Sequence, residues 1–320
     1  MTFKNVVFSS CNIPLSLMYL DDWSCVIVEG TNSKKYLQGQ LTIDTSLLQM
    51  HQHIICAHCN INGKIWSVLR LLNYKTGYIY IQPDDVSDIQ IHELQKYAIF
   101  SNITIRKENN LLLFGISGLN AKMLLMKFFS KIPNQEYSMV NHEDITLLWF
   151  KDPIERFLLI VPKNNTFIEN IKKEKVFLST SNQWAALDIE SGYPIITRTM
   201  MNKFLPLSVN LEKLGGINFK KGCYYGQEVI AKIKFKHLNK RSLYWIQSVK
   251  YKNKLPNIGR LIEIKKHQNW FIVGHVVFAV VMYNDMIWVQ AILDSNLNIN
   301  SVLRINGYDD YFYIKKSFSI

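Results

Sequence analysis

No apolar run in this chain is long enough to cross a bilayer. The longest, Phe271 to Tyr283, is broken by Gly274 and His275 and falls short of the roughly 18 residues a span requires, so it reads as buried strand. Cysteine is scarce: Cys11, Cys25, Cys56, Cys59 and Cys223 are 5 in 320 residues. An odd, scattered set excludes a dense disulfide framework and fits a reducing compartment. Met1 to Leu20 interleaves Lys4, Asn5, Asn12 and Pro14 with its apolar residues and so lacks the continuous core of a signal peptide. A cytoplasmic location with no membrane partner is expected. Cys56-Ala57-His58-Cys59, with His51 and His53 upstream, has no second Cys-x-x-Cys to complete it. On a strand Cys56 and His58 would share one face and Cys59 the other, so the set does not converge and no metal site is expected. Arginine is short as well, with 7 against 30 lysines in a formal charge of +12. Arginine is the planar, bidentate reader of phosphate, so the net charge by itself is discounted as evidence for nucleic-acid binding. There is no repeat at solenoid spacing and no low-complexity linker.

What is present is a chain 48% hydrophobic and 19% charged, enough to build more than one core. Cys25 to Glu29 reads as strand, and Thr31-Asn32-Ser33 opens a helix through Tyr36, Leu37 and Leu41. His53 to Asn60 and Ile65 to Leu72 are strand-like runs joined by Ile61-Asn62-Gly63-Lys64, whose Asn-Gly pair favours a tight hairpin. Tyr78 to Gln82 continues the sheet, and Pro83-Asp84-Asp85 starts a helix leading into Tyr97. Strands at Ile103 to Ile105 and Leu111 to Ile116 precede a helix from Leu119 to Phe129. Strands near Thr146 to Phe150 and Phe157 to Val161 precede another helix from Thr166. Gln183 to Ser191 reads as a helix stopped by Gly192 and Pro194. Beyond Arg241 short β-rich runs follow, near Tyr244 to Val249, Leu261 to Ile264, Trp270 to Val281, Ile287 to Leu293 and Val302 to Ile305. The expectation is an α+β fold: residues 1–240 as two intertwined lobes of mixed and antiparallel sheets with helices, and residues 241–320 as a small β-barrel.

The chemistry concentrates in Lys220-Lys221-Gly222-Cys223-Tyr224-Tyr225-Gly226-Gln227-Glu228. Adjacent ammonium groups favour the thiolate of Cys223, and the two glycines permit backbone conformations other residues resist. A lone cysteine is more often packing than chemistry, but the polar setting raises the functional reading. Downstream, Val229, Ala231, Ile233 and Phe235 alternate with Lys232, Lys234 and Lys236; read as a strand, this puts the three lysines on one face. Such a face suits an anionic ligand or an RNA backbone, or simply a solvated edge. Trp23 follows two aspartates, and Trp184 opens a helix carrying Asp188 and Glu190. Each indole alone reads as core; indoles with polar neighbours also suit a flat heteroaromatic ligand.

The run from Lys220 to Ala231 resembles the signature of the bacterial folate-binding YgfZ proteins, relatives of the aminomethyltransferase of glycine cleavage. The likeness extends through Phe204-Leu205-Pro206, Asn210-Leu211, Leu214 to Ile217, Lys234-Phe235-Lys236 and Asn239-Lys240-Arg241. At the N-terminal end it includes Leu20 to Trp23, Lys35 to Gln40, Ala57-His58-Cys59 and Gly63-Lys64. It implies a three-lobed protein with a site for folate, as tetrahydrofolate or a one-carbon derivative. Trp23, Trp184, Glu190 and Tyr224 are implied as cofactor contacts, and Lys221 and Cys223 as the functional motif. It also implies an accessory or regulatory role in tRNA modification and the maintenance of iron-sulfur enzymes, with an effect on replication initiation. Partners would be tRNA-modifying or iron-sulfur enzymes, with a weak tRNA contact. A folate-dependent one-carbon transferase and a direct tRNA-binding protein are the alternatives. Lys232 and Lys236 stand where the family has arginine, His237 replaces a glycine and Asn60 an aspartate. No residue matches the catalytic aspartate of a true aminomethyltransferase, which favours the accessory role over a stand-alone transferase.

Overall fold

The computed structural model describes residues 2–249 and 255–318. The chain divides into two compact units, one of residues 1–36, 45–54 and 70–187, the other of residues 37–44, 55–69 and 188–320. In chain order the first elements are β1 (Ser16–Tyr19), β2 (Trp23–Glu29), α1 (Ser33–Gln40), β3 (His53–Cys59), β4 (Ile65–Tyr74), β5 (Gly77–Pro83), α2 (Asp84–Gln95) and β6 (Thr104–Lys107). Next come β7 (Leu111–Ser117), α3 (Ala121–Met126), β8 (Met139–His142), β9 (Ile145–Phe150), β10 (Arg156–Pro162), α4 (Phe167–Lys173), β11 (Phe177–Thr180) and α5 (Ser181–Ser191). The last are α6 (Gln227–Phe235), β12 (Arg241–Ser248), β13 (Leu261–Lys266), β14 (Asn269–Val281), β15 (Ile287–Asp294), β16 (Val302–Ile305) and β17 (Tyr311–Ser317).

A six-stranded sheet of the first unit runs β11-β1-β7-β10-β9-β8. Its β1 and β11 are parallel, and its other pairs are antiparallel. Leu17, Ile116, Phe157 and Leu159 on this sheet pack with Leu125 of α3 and Ile171 of α4, so both helices are held chiefly by apolar burial. A five-stranded sheet runs β3-β4-β5-β2-β6. The Asn-Gly hairpin forms as expected between β3 and β4: Gly63 adopts φ +69°, and Asn60 Oδ1 accepts from the backbone N–H groups of Asn62 and Lys64, both at 2.9 Å. That is the self-capping turn chemistry asparagine supplies.

In the second unit, β12-β15-β14-β13-β16-β17 close into a six-stranded barrel around Tyr244, Ile262, Val276, Leu293, Leu303 and Phe312. Closure leaves no sheet edge. The closing strand, β17, escaped the sequence reading although its burial alternates along Tyr311 to Ile314.

One expectation is overturned. The segment from Gln227 to Phe235 is helix, not strand. Gly226, at φ +84°, turns the chain into α6, where Ile230 is buried. The alternation of apolar residues with lysine also satisfies a helix in which only one side is buried, and the positive-φ glycine decides between them. The three lysines therefore do not share a face.

Candidate functional sites

In the first unit Trp23 and Trp184 are joined through buried guanidinium groups. Trp23 opens β2, at a turn where its N–H donates to Leu20 O at 3.2 Å. The Arg70 guanidinium carbon, on β4, lies 4.4 Å from the centre of the Trp23 ring and 5.8 Å from that of Trp184. Arg156, at the start of β10, lies 4.3 Å over Trp184, and Phe150 meets Trp184 edge-on at 5.5 Å. Arg70 and Arg156 are 1% and 0% exposed, a rare state for arginine that demands compensation. Stacking on indole faces supplies part of it.

Trp184 fits because β7 carries Gly115 in its centre. A Cβ there would lie 2.6 Å from Trp184 Cε3, so the glycine is a space allowance rather than a turn. The indole Nε1 of Trp184 is buried with no hydrogen-bond acceptor among the described residues, an unmet donor in a site of two cations. Nearby residues are tuned too. Desolvation raises the carboxyl of Asp22, an exposed residue, to about 6 against its hydrogen bond with Ser181, and His53, whose Nε2 sits 2.8 Å from Trp149 O, is pushed down to about 4, chiefly by burial with a contribution from Arg70. Cation-stacked indoles and an unmet indole N–H suit an electron-rich heteroaromatic ring or a carboxylate. Neither arginine was singled out from the sequence, because burial of Arg70 and Arg156 depends on strands distant in the chain; single arginines in apolar strands were the available signal.

In the second unit the Lys-Gly-Cys-Tyr turn separates its own residues. Lys221 turns inward: its Nζ donates to the carbonyls of Gln38, Leu41 at 2.8 Å and Ile43 at 2.7 Å, at the C-terminal end of α1, where unsatisfied carbonyls attract cations. Burial lowers its pKa to about 8, opposed by Asp44 and Cys56. The ammonium lies 4.9 Å over the ring of Tyr224, which is buried, so that its hydroxyl pKa is pushed up, mainly by desolvation and further by Cys59. Cys223 is exposed. Of the two glycines only Gly226 uses a positive φ; it also approaches the hairpin, a Cβ there lying 2.4 Å from Asn60 O. Glu190 is partly buried at the C-terminal end of α5. Cys56, His58 and Cys59 are all buried. Burial drives His58 down to about 3 and both thiols up. No group of three or more His, Cys, Asp or Glu that could hold a metal occurs among the described residues, and no helix there is long and apolar enough to cross a membrane.

The fold is that of an aminomethyltransferase T: the crystal structure of the glycine cleavage system enzyme from Bartonella henselae matches 95% of this chain and 85% of its own, with a TM-score of 0.74 at 13% identity. Residues 239–310 match the model of the YgfZ β-barrel domain. The tRNA-modifying protein YgfZ of Buchnera aphidicola from Acyrthosiphon pisum is 44% identical over 98% of both chains. That of Pectobacterium atrosepticum is 41% identical over 95% of this chain and 91% of its own. The chain belongs to the YgfZ family.

Proposed function

We propose that this protein binds tetrahydrofolate or a one-carbon derivative in its first unit and serves tRNA modification as a cytoplasmic accessory protein. The observation that carries the folate reading is the cluster of Trp23, Arg70, Trp184 and Arg156. A pterin offers a flat ring with acceptor atoms to indole and guanidinium faces, and the glutamate tail offers carboxylates that an arginine fork holds bidentately. The tRNA reading draws on relatives named for tRNA modification. Folate, when bound, supplies one-carbon chemistry; this chain's residues orient the ring, shield it from water and hold its charge. In the second unit Cys223 is assigned as the exposed group that meets a partner. The finer roles, maintenance of iron-sulfur enzymes and an influence on replication initiation, follow from the family resemblance.

Titrating tetrahydrofolate against tryptophan fluorescence tests the reading. A saturable change in the wild type, reduced in Trp23→Phe and Trp184→Phe and weakened at least tenfold in Arg70→Gln, is expected. No change in fluorescence and no heat by calorimetry would remove the site. The fold favours one second reading, a one-carbon transferase; turnover of a methylene donor that is lost in Cys223→Ser while folate binding persists would establish it.

A further inference from the structure

Helix formation in Gln227–Phe235 sorts lysines that a strand would have aligned. Lys234 turns to Glu212, at 2.6 Å, and its charge is matched there. Glu228, Lys232, Phe235 and Lys236 fall at i, i+4, i+7 and i+8, one helix face, and all four are exposed. The helical register persists to Lys236, whose N–H donates to Lys232 O at 3.1 Å. Among the described residues Lys232 and Lys236 have no carboxylate within ion-pair distance. On the same face Phe235 is 69% exposed, yet it is not loose: it packs on Phe219, ring centres 5.8 Å apart at 63°.

We propose that this face of α6 is a contact surface for single-stranded RNA, with a base stacked on Phe235 and backbone phosphates on Lys232 and Lys236. The inference rests on the reading of tRNA modification, which specifies RNA as the nucleic acid. A supported, water-exposed aromatic ring on the same helix face as two ammonium groups is the minimal platform for an unpaired nucleotide. An acidic protein would use the lysines and gain nothing specific from the ring. Lysines, as point charges, hold the backbone without reading sequence, so binding should be tolerant of sequence and steep in salt. Glu228, one turn before Lys232, limits the platform at that end by repelling phosphate.

The test is fluorescence anisotropy of the full chain with a labelled, unmodified RNA stem-loop carrying an unpaired seven-nucleotide loop, across a salt series. Phe235→Ala should weaken binding about five- to hundredfold, while Phe235→Trp retains it and its emission is quenched by the RNA. Lys232→Gln and Lys236→Gln should each weaken binding and lower the slope of log affinity against log salt by about 0.7; Lys234→Gln should leave that slope unchanged. The proposal is overturned if Phe235→Ala binds like the wild type, if Lys234→Gln weakens binding as much as Lys232→Gln, or if polyglutamate competes as well as RNA of equal charge, which would mark an acidic protein partner. Tetrahydrofolate titration of the same variants separates the two readings: folate binding should be unaltered by all of them, and its absence would count against the folate site, leaving the RNA measurement to stand by itself.

Discussion

The ammonium of Lys221 sits where α1 presents its last carbonyls, which gives this residue a structural duty distinct from that of the thiol two positions later. Lys221 holds three backbone oxygens; Cys223 lies exposed. Replacing Lys221 with Met keeps much of the stem but leaves buried acceptors without a donor, and should cost about 2–4 kcal/mol. Urea unfolding with an unchanged m-value checks it, and a loss under about 0.5 kcal/mol, the scale of an ordinary surface change, would contradict the staple. The sequence showed that a cation precedes the thiol. It could not show which way that cation points, because the direction depends on carbonyls some 180 residues earlier in the chain. The same limit hid Arg70 and Arg156, whose partners come from separate strands and helices.

At the scale of the element, glycine placement distinguishes what Lys220 to Glu228 requires from what it tolerates. Gly226 combines a positive φ with a Cβ position 2.4 Å from Asn60 O, while nothing lies within 4 Å of a Cβ at Gly222. Gly226→Ala should therefore destabilise by about 2 kcal/mol or more and Gly222→Ala by no more than about 1. Equal thermal unfolding midpoints for the two variants would refute the distinction. The hairpin at Asn60 to Lys64, the helix ending before Gly192 and most barrel strands were legible, because turn residues and alternation are local signals. α6 was not, since a run alternating apolar residues with lysine fits a strand or a one-sided helix, and what decides is the positive φ that Gly226 adopts in the folded chain. Strands β1 and β11 were also missed: they are four-residue segments whose order comes from pairing with each other and with β7.

For the whole molecule, desolvated titratable groups shape how stability responds to acid. His58 is neutral in the fold, its pKa held at about 3 by burial against 6.5 for the free side chain. Between those values the unfolded chain takes up a proton that the folded chain refuses. Stability is thus full above about pH 6.5 and falls on acidification by about 1.4 kcal/mol per pH unit from this residue. Asp22, raised from 3.8 to about 6, acts with the opposite sign: the fold holds its proton, so it adds stability at low pH that is lost as pH rises through 6. His58→Gln should flatten the acid limb of stability against pH between 6 and 4 by about one proton's slope, and Asp22→Asn should steepen it. Urea midpoints across that range would read both changes, and an unaltered slope in His58→Gln would contradict the assignment.

Composition bounded the molecule and local patterns drew its α+β framework, but the candidate site emerges only when strands far apart in sequence bring indoles and guanidiniums together. The central claim is that this cluster holds folate. A crystal structure determined with tetrahydrofolate tests it most directly. Ligand density is expected in contact with Trp23 and within hydrogen-bond distance of the Arg70 guanidinium or Trp184 Nε1; tetrahydrofolate ordered elsewhere, or absent at saturating concentration, would rule the cluster out as the folate site.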